Sequence, residues 1–299
     1  MEIEVYKYRS VRHCLRDAYT AISENLKSVF RKTWWVVSLG AIALSFTTYF
    51  FLPNMALHTW GLENQIASFV VQSLVYLATI VFGFWVLCAF WHVINGRRWR
   101  ENLPRVIVTQ LLSAAIACLF KIAFDLLTKW LLSVPASPAE QQTGESASIT
   151  WLFAVIGLGI VAVVTCIPLC YTFIRFMMGK HWLPFVGYGR GFRYWGTIFV
   201  AMLLIYLLAG IALAAVSLPV VILVSAQLYS QLGALGGDPL NIPGYFTPLL
   251  IVTLTLFYFV VGYISLWAQL ASTFLYGSIE TQQAEKNKHD REENQTAIY

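Results

Sequence analysis

Gln110, Ser113, Ala117, Lys121, Asp125 and Lys129 follow one another at three- or four-residue spacing, so they share one face of a helix. Three of the six are ionisable, and the run that holds them, 106–132, is otherwise apolar. A carboxylate one turn from a lysine can accept a proton while the ammonium holds an anion. That is the chemistry of a substrate or ion site in a small transporter. An isolated charge at mid-bilayer costs at least about 2.5–3.5 kcal/mol, so Lys121 and Asp125 must pair or face a wet cavity. Leu111, Leu119, Phe120, Ile122, Leu126 and Leu127 lie off this face, which should therefore point away from lipid. A second reading is open. The stretch 103–133 measures about 45 Å at the helical rise, more than the hydrocarbon core. Its far end can then lie in the outer headgroup region, with Lys121 snorkelling outward and Asp125 and Lys129 wet.

These residues need a membrane around them, and composition provides it. Of 299 residues 58% are hydrophobic and only 12% charged, against about 25% charged in an ordinary soluble domain. Runs at 34–52, 66–94, 106–132, 149–178, 195–228 and 246–276 each reach roughly the 20 apolar residues that a helix needs to cross a bilayer. The sequence predicts an all-α polytopic bundle of six transmembrane helices in one domain, 34–276. Ahead of it, 1–33 carries Val11, Cys14, Leu15, Ala18, Tyr19, Ile22, Leu26, Val29 and Phe30 on one side and Arg12, Arg16, Asp17, Glu24, Lys27 and Arg31 on the other. That pattern predicts an amphipathic helix, lying in the interface or packed under the bundle. The polar segment 277–299 reads as a disordered tail. Loops this short leave no room for a soluble catalytic domain.

Orientation follows from the basic residues. Eighteen of the 20 Lys and Arg fall in the N-terminal segment, between spans two and three, around the join of spans four and five, or in the C-terminal tail. The loops 53–65, 134–148 and 229–245 hold none. The positive-inside rule makes both termini cytoplasmic and requires an even number of spans. The chain then reads as three helical hairpins in series.

The inner loops hold a second candidate surface. Arg97, Arg98 and Arg100 flank Trp99, and Lys180, Arg190 and Arg193 share a loop with Trp182, Tyr194 and Trp195. Basic and aromatic side chains at an inner interface suit anionic lipid headgroups, and together they would form a cytoplasmic collar. Gly187, Gly189 and Gly191 lack the GxGxxG spacing and no strand precedes them, which argues against a nucleotide cradle. The partners expected are membrane lipids, other membrane proteins or a second copy of the chain, not nucleic acid. Pro168 and Pro219 should kink spans four and five. The small residues Gly157, Gly159 and Ala162, and Gly210, Ala214 and Ser217, should let helices approach closely. Trp85 and Trp267, mid-span, read as packing.

For catalysis the chain is poor. Its five histidines are scattered, and HExxH, GxSxG and paired-carboxylate patterns are absent. The five cysteines fall mostly within spans and leave the outer loops empty, so a disulfide framework is not expected. Cys166 and Cys170, one turn apart, read as small buried side chains. No enzyme activity, metal or cofactor is expected.

Ala18-Tyr19, Asn25-Leu26, Val29-Phe30 and Trp34, an amphipathic lead running into a first span, resemble the opening of bacterial six-span proteins grouped with the membrane domain of some glycerophosphoryl diester phosphodiesterases. The resemblance covers about the first forty residues and the hairpin layout. No phosphodiesterase domain is present, so that activity does not carry over. What it implies is an inner-membrane helical protein concerned with envelope lipids or membrane integrity.

Overall fold

A computed structural model of the chain describes residues 4–51, 65–133, 145–179, 183–235 and 243–296. Among these there are eight helices and no strand: α1 (Val11–Glu24), α2 (Leu26–Phe51), α3 (Gln65–Asn95), α4 (Trp99–Ser133), α5 (Glu145–Met178), α6 (Tyr188–Arg193), α7 (Trp195–Leu235) and α8 (Phe246–Thr296). Six of them, α2 to α5, α7 and α8, are long and apolar enough to cross a membrane. The protein is a multi-pass helical membrane protein. Much of the loops expected at 53–65 and 134–148, with Trp60, Lys180, His181 and Trp182, lies outside the described residues.

The chain forms two compact units, Met1–Leu103 with Val200–Tyr299, and Pro104–Phe199. In the first, α2 packs along both α3 and α8. Gly40 opens a notch where an added Cβ would sit 2.8 Å from Val86 Cγ2, and Gly262 makes the same allowance for Val37 Cγ1. Small residues let backbones approach, and dispersion between close surfaces is what joins helices in lipid. Hydroxyls supplement it. Ser45 meets Thr255 at 2.9 Å, Thr48 meets the Tyr258 hydroxyl at 2.6 Å, Thr33 meets that of Tyr263 at 3.3 Å, and Thr47 meets Thr79. Each of these four α2 side chains also donates to, or lies within bonding distance of, a carbonyl three or four residues back, so none is stranded in an apolar surround. Tyr49, Phe50, Leu250 and Leu254 close the far end of this packing.

The amphipathic segment is shorter than 1–33. It ends at Glu24 because Asn25 leaves the helical region (φ −105°, ψ 14°) and turns its amide onto the Ala21 carbonyl at 3.0 Å, after which the chain starts α2 at Leu26. The Cys14 and Ala18 side of α1 is buried and the helix packs on α8, while Tyr19, Leu26 and Phe30 stay exposed. Instead of a disordered tail from 277, α8 continues through Thr296. Its first added turns are covered by residues 4–10, and Glu, Gln, Ala and Lys, all good helix formers, fill the turns beyond them.

That covering strap is built around Arg9. Its guanidinium pairs with Asp17 at 2.8 Å, donates to the carbonyls of Glu4 and Val5, and lies 4.5 Å over the Phe274 ring. The Arg9 N–H donates to Ser278 Oγ at 3.0 Å and Ser278 Oγ returns a bond to the Arg9 carbonyl at 2.8 Å. Val5 is buried on Gly277, where any Cβ would strike its carbonyl. The N-terminal segment and the C-terminal end of the last span are therefore neighbours.

In the second unit the small helix α6 seats on α5 at Pro168. A Cβ on Gly191 would lie 3.0 Å from the Pro168 backbone, and the Tyr188 hydroxyl donates to the Thr165 carbonyl at 3.2 Å, in the turn where the proline removes a backbone donor. Gly187, at φ +105°, starts this helix in a region that favours glycine. Arg105 closes the end of α5. It is buried, donates to the Phe176 carbonyl at 2.8 Å and to that of Gly179, and lies 5.6 Å from the Phe176 ring. A cation on the last carbonyls of a helix satisfies orphan acceptors and opposes the dipole.

Candidate functional site

The charged face of α4 forms as a helix face, but it does not turn inward. Lys121 Nζ lies 3.1 Å from Asp125 Oδ2, one turn on, with the two side chains 76% and 49% exposed. Gln110 and Lys129 are exposed as well. The partly buried positions of the same stretch, Ser113, Ile116, Phe120, Phe124 and Leu127, follow a different line along the helix, about 100° round from Lys121 and Asp125. Of the six residues expected on the lipid side, Leu111, Leu119, Ile122 and Leu126 are exposed, whereas Phe120 and Leu127 are partly buried. At 1.5 Å per residue Lys121 is about 24 Å and Asp125 about 30 Å along the axis from Arg105, against a hydrocarbon core about 30 Å thick. An ion pair this exposed adds little to stability.

The basic candidates divide between the two units. In the first, Arg98, Trp99 and Arg100 are exposed, beside the turn that joins α3 to α4. That turn is held by a reciprocal amide pair, Asn95 Nδ2 to Asn102 Oδ1 at 2.9 Å and Asn102 Nδ2 to Asn95 Oδ1 at 3.2 Å, with Gly96 at φ +67° and the Arg97 N–H donating to Asn95 Oδ1. Asn102 is fully buried. In the same unit α1 and the start of α2 expose Arg12, Arg16, Lys27, Arg31 and Lys32 among exposed Tyr19, Phe30, Trp34 and Trp35. In the second unit Arg190 and Arg193 are exposed on α6, and burial pushes the Tyr188 phenol above its ordinary pKa, with Cys166 adding to the effect.

Between the N-terminal end of α2 and the C-terminal end of α3 lies a cleft of about 140 Å³ lined by Ser28, Val29, Lys32, His92, Val93 and Gly96. His92 Nδ1 sits 2.6 Å from the Arg97 carbonyl oxygen. Neither Lys32 nor His92 stands out in sequence, because one belongs to an amphipathic pattern and the other closes an apolar run. Arg9, Arg105 and the Asn95–Asn102 pair were equally hidden among loop polar residues. The seven-residue spacing of the two asparagines around Gly96 is the signal that would have found them.

Among the described residues no three His, Cys, Asp or Glu side chains gather as metal ligands. Among the described residues nothing lies within 4 Å of a Cβ added at Gly157, Gly159 or Gly210. Comparison with family models, curated proteins and solved structures returns no match to this chain.

Proposed function

We propose that this protein is a non-enzymatic component of a bacterial cytoplasmic membrane, with both termini cytoplasmic, that engages anionic lipid headgroups at its inner face. The observation that carries the reading is the exposed fringe of Arg12, Arg16, Lys27, Arg31, Lys32, Arg98 and Arg100 set among exposed Tyr19, Phe30, Trp34, Trp35 and Trp99. Aromatic rings prefer headgroup depth, and each cation near an anionic leaflet contributes about 1 kcal/mol of attraction. The likeness of residues 18–34 to the envelope-lipid proteins named above agrees with this. The transporter reading asks Lys121 and Asp125 to form an enclosed site, and their exposure favours the lipid reading instead.

The test is lipid selectivity after reconstitution into vesicles of mixed anionic and zwitterionic lipid. Replacing Arg12, Arg31, Arg98 and Arg100 by Gln should lower the enrichment of anionic lipid around the protein several-fold. Replacing Lys121 and Asp125 by Ala should leave it unchanged. Equal enrichment in wild type and the four-fold variant would overturn the reading.

A further inference from the structure

The cleft between α2 and α3 has room for roughly five liquid water molecules, enough for a headgroup moiety and not for a whole lipid. Its two strongest polar groups ask for different things. The Arg97 carbonyl can only accept, so the His92 Nδ1 atom facing it at 2.6 Å carries the proton. In the neutral ring Nε2 is then left with a lone pair and requires a donor. The fold holds this tautomer: the Arg97 carbonyl belongs to the turn that the Asn95–Asn102 amide pair fixes, and the Arg97 N–H is itself tied to Asn95. Lys32, by contrast, is an ammonium with three donors and no acceptor, suited to an anionic oxygen. Lys32 is exposed two residues before the exposed Trp34 and Trp35, so the cleft lies where amphipathic rings mark the membrane surface.

We propose that this cleft binds the headgroup of an anionic phospholipid that also carries a hydroxyl group, the phosphate on Lys32 and the hydroxyl donating to His92 Nε2. The inference rests on the lipid-facing reading above and narrows it to one site and one headgroup chemistry. A soluble glycerophosphodiester presents the same atoms, so the source must be separated from the chemistry.

Purified full-length protein in uncharged detergent at pH 8, where an ordinary imidazole is neutral, is titrated with four probes and bound ligand is counted by native mass spectrometry. The probes are phosphatidylglycerol, phosphatidylmethanol, phosphatidylcholine and water-soluble glycerophosphoglycerol. Phosphatidylmethanol keeps the charge of phosphatidylglycerol and lacks its hydroxyls. Wild type should bind phosphatidylglycerol about fivefold tighter than phosphatidylmethanol, the effect of one net hydrogen bond. His92→Asn retains an amide donor for the Arg97 carbonyl and has nothing in place of Nε2, so it should erase that difference. Lys32→Gln should weaken both anionic lipids and remove the difference between them, leaving only the preference over phosphatidylcholine that the other exposed cations give. Equal binding of the two anionic lipids by wild type overturns the site, and this comparison needs no variant. If both still exceed phosphatidylcholine, the general lipid reading survives without the cleft; if neither does, both fail. Displacement of phosphatidylglycerol by equimolar glycerophosphoglycerol would overturn the lipid as the source.

Discussion

Gly277→Ala is the sharpest test of how the termini are joined. A Cβ at Gly277 would stand 2.7 Å from the Val5 carbonyl carbon and 2.9 Å from Val5 Cγ1, where ordinary contact begins near 3.4 Å. The obstacle is backbone, with the Val5 carbonyl oxygen nearest of all, so the strap must retreat by more than an ångström. Such a shift weakens both Arg9–Ser278 hydrogen bonds, 3.0 and 2.8 Å long, each worth about 1 kcal/mol net. It also re-exposes part of Val5, whose full burial is worth about 1.5–3 kcal/mol. Partial loss of these contributions gives about 2–3 kcal/mol, an increase of about 30- to 150-fold in the open population. Hydrogen exchange of the peptide covering 4–10 reads that population directly, and exchange in α2 should stay at the wild-type rate. If the strap contact were weak, alanine within a helix would instead stabilise by about 1 kcal/mol through propensity alone. Unchanged protection at 4–10 together with a raised thermal midpoint would refute the reasoning.

Other perturbations separate the remaining contacts. Arg105→Met should destabilise the second unit by about 2–4 kcal/mol, since the end of α5 loses its donor to the Phe176 and Gly179 carbonyls, and Arg105→Lys should rescue it only in part; thermal unfolding in detergent measures both. Burial pushes the Cys14 thiol from 9.0 to about 11, against a smaller opposing pull from Arg9. Its alkylation at pH 8 should be about a hundredfold slower than that of an ordinary thiol and should climb about tenfold per pH unit. Because the folded pKa is the raised one, the stability linked to Cys14 is complete below about pH 9 and is lost as pH rises toward 11, which alkaline unfolding series can follow. Single cysteines placed at 121 and 125 in a cysteine-free background should react fast with a membrane-impermeant thiol reagent added from outside, because both positions are exposed and the proposed orientation puts this end of α4 outside. Absence of reaction at both would mean a sealed pair and would restore the inward-facing reading of that face.

Much of the architecture was legible because its causes are local. Whether a stretch can cross a bilayer depends on its own length and polarity, and 34–52 to 246–276 met that condition without reference to their neighbours. Asp125 four residues after Lys121 gave the ion pair for the same reason: helical spacing alone puts the two groups within reach. What the pair faces was not legible. A helix pattern says which residues share a side, and only the neighbours decide which side is covered, so the line through Ser113, Phe120 and Phe124 became the partly buried one. The end of α1 at Asn25 and the continuation of α8 past Tyr276 depended on a side-chain cap and on a strap about 270 positions away in sequence.

The sequence by itself determined an all-α membrane protein with six candidate spans, because transfer from water to lipid is a property of each segment taken alone. Tertiary structure decided which polar residues are buried in structural contacts and which line an open surface. Arg9 and Arg105 look like any other interfacial cation in sequence, yet each is buried against carbonyls and an aromatic ring, whereas Lys32 and His92 line an open cleft. That distinction depends on distances between residues far apart in the chain, and only folding sets those distances.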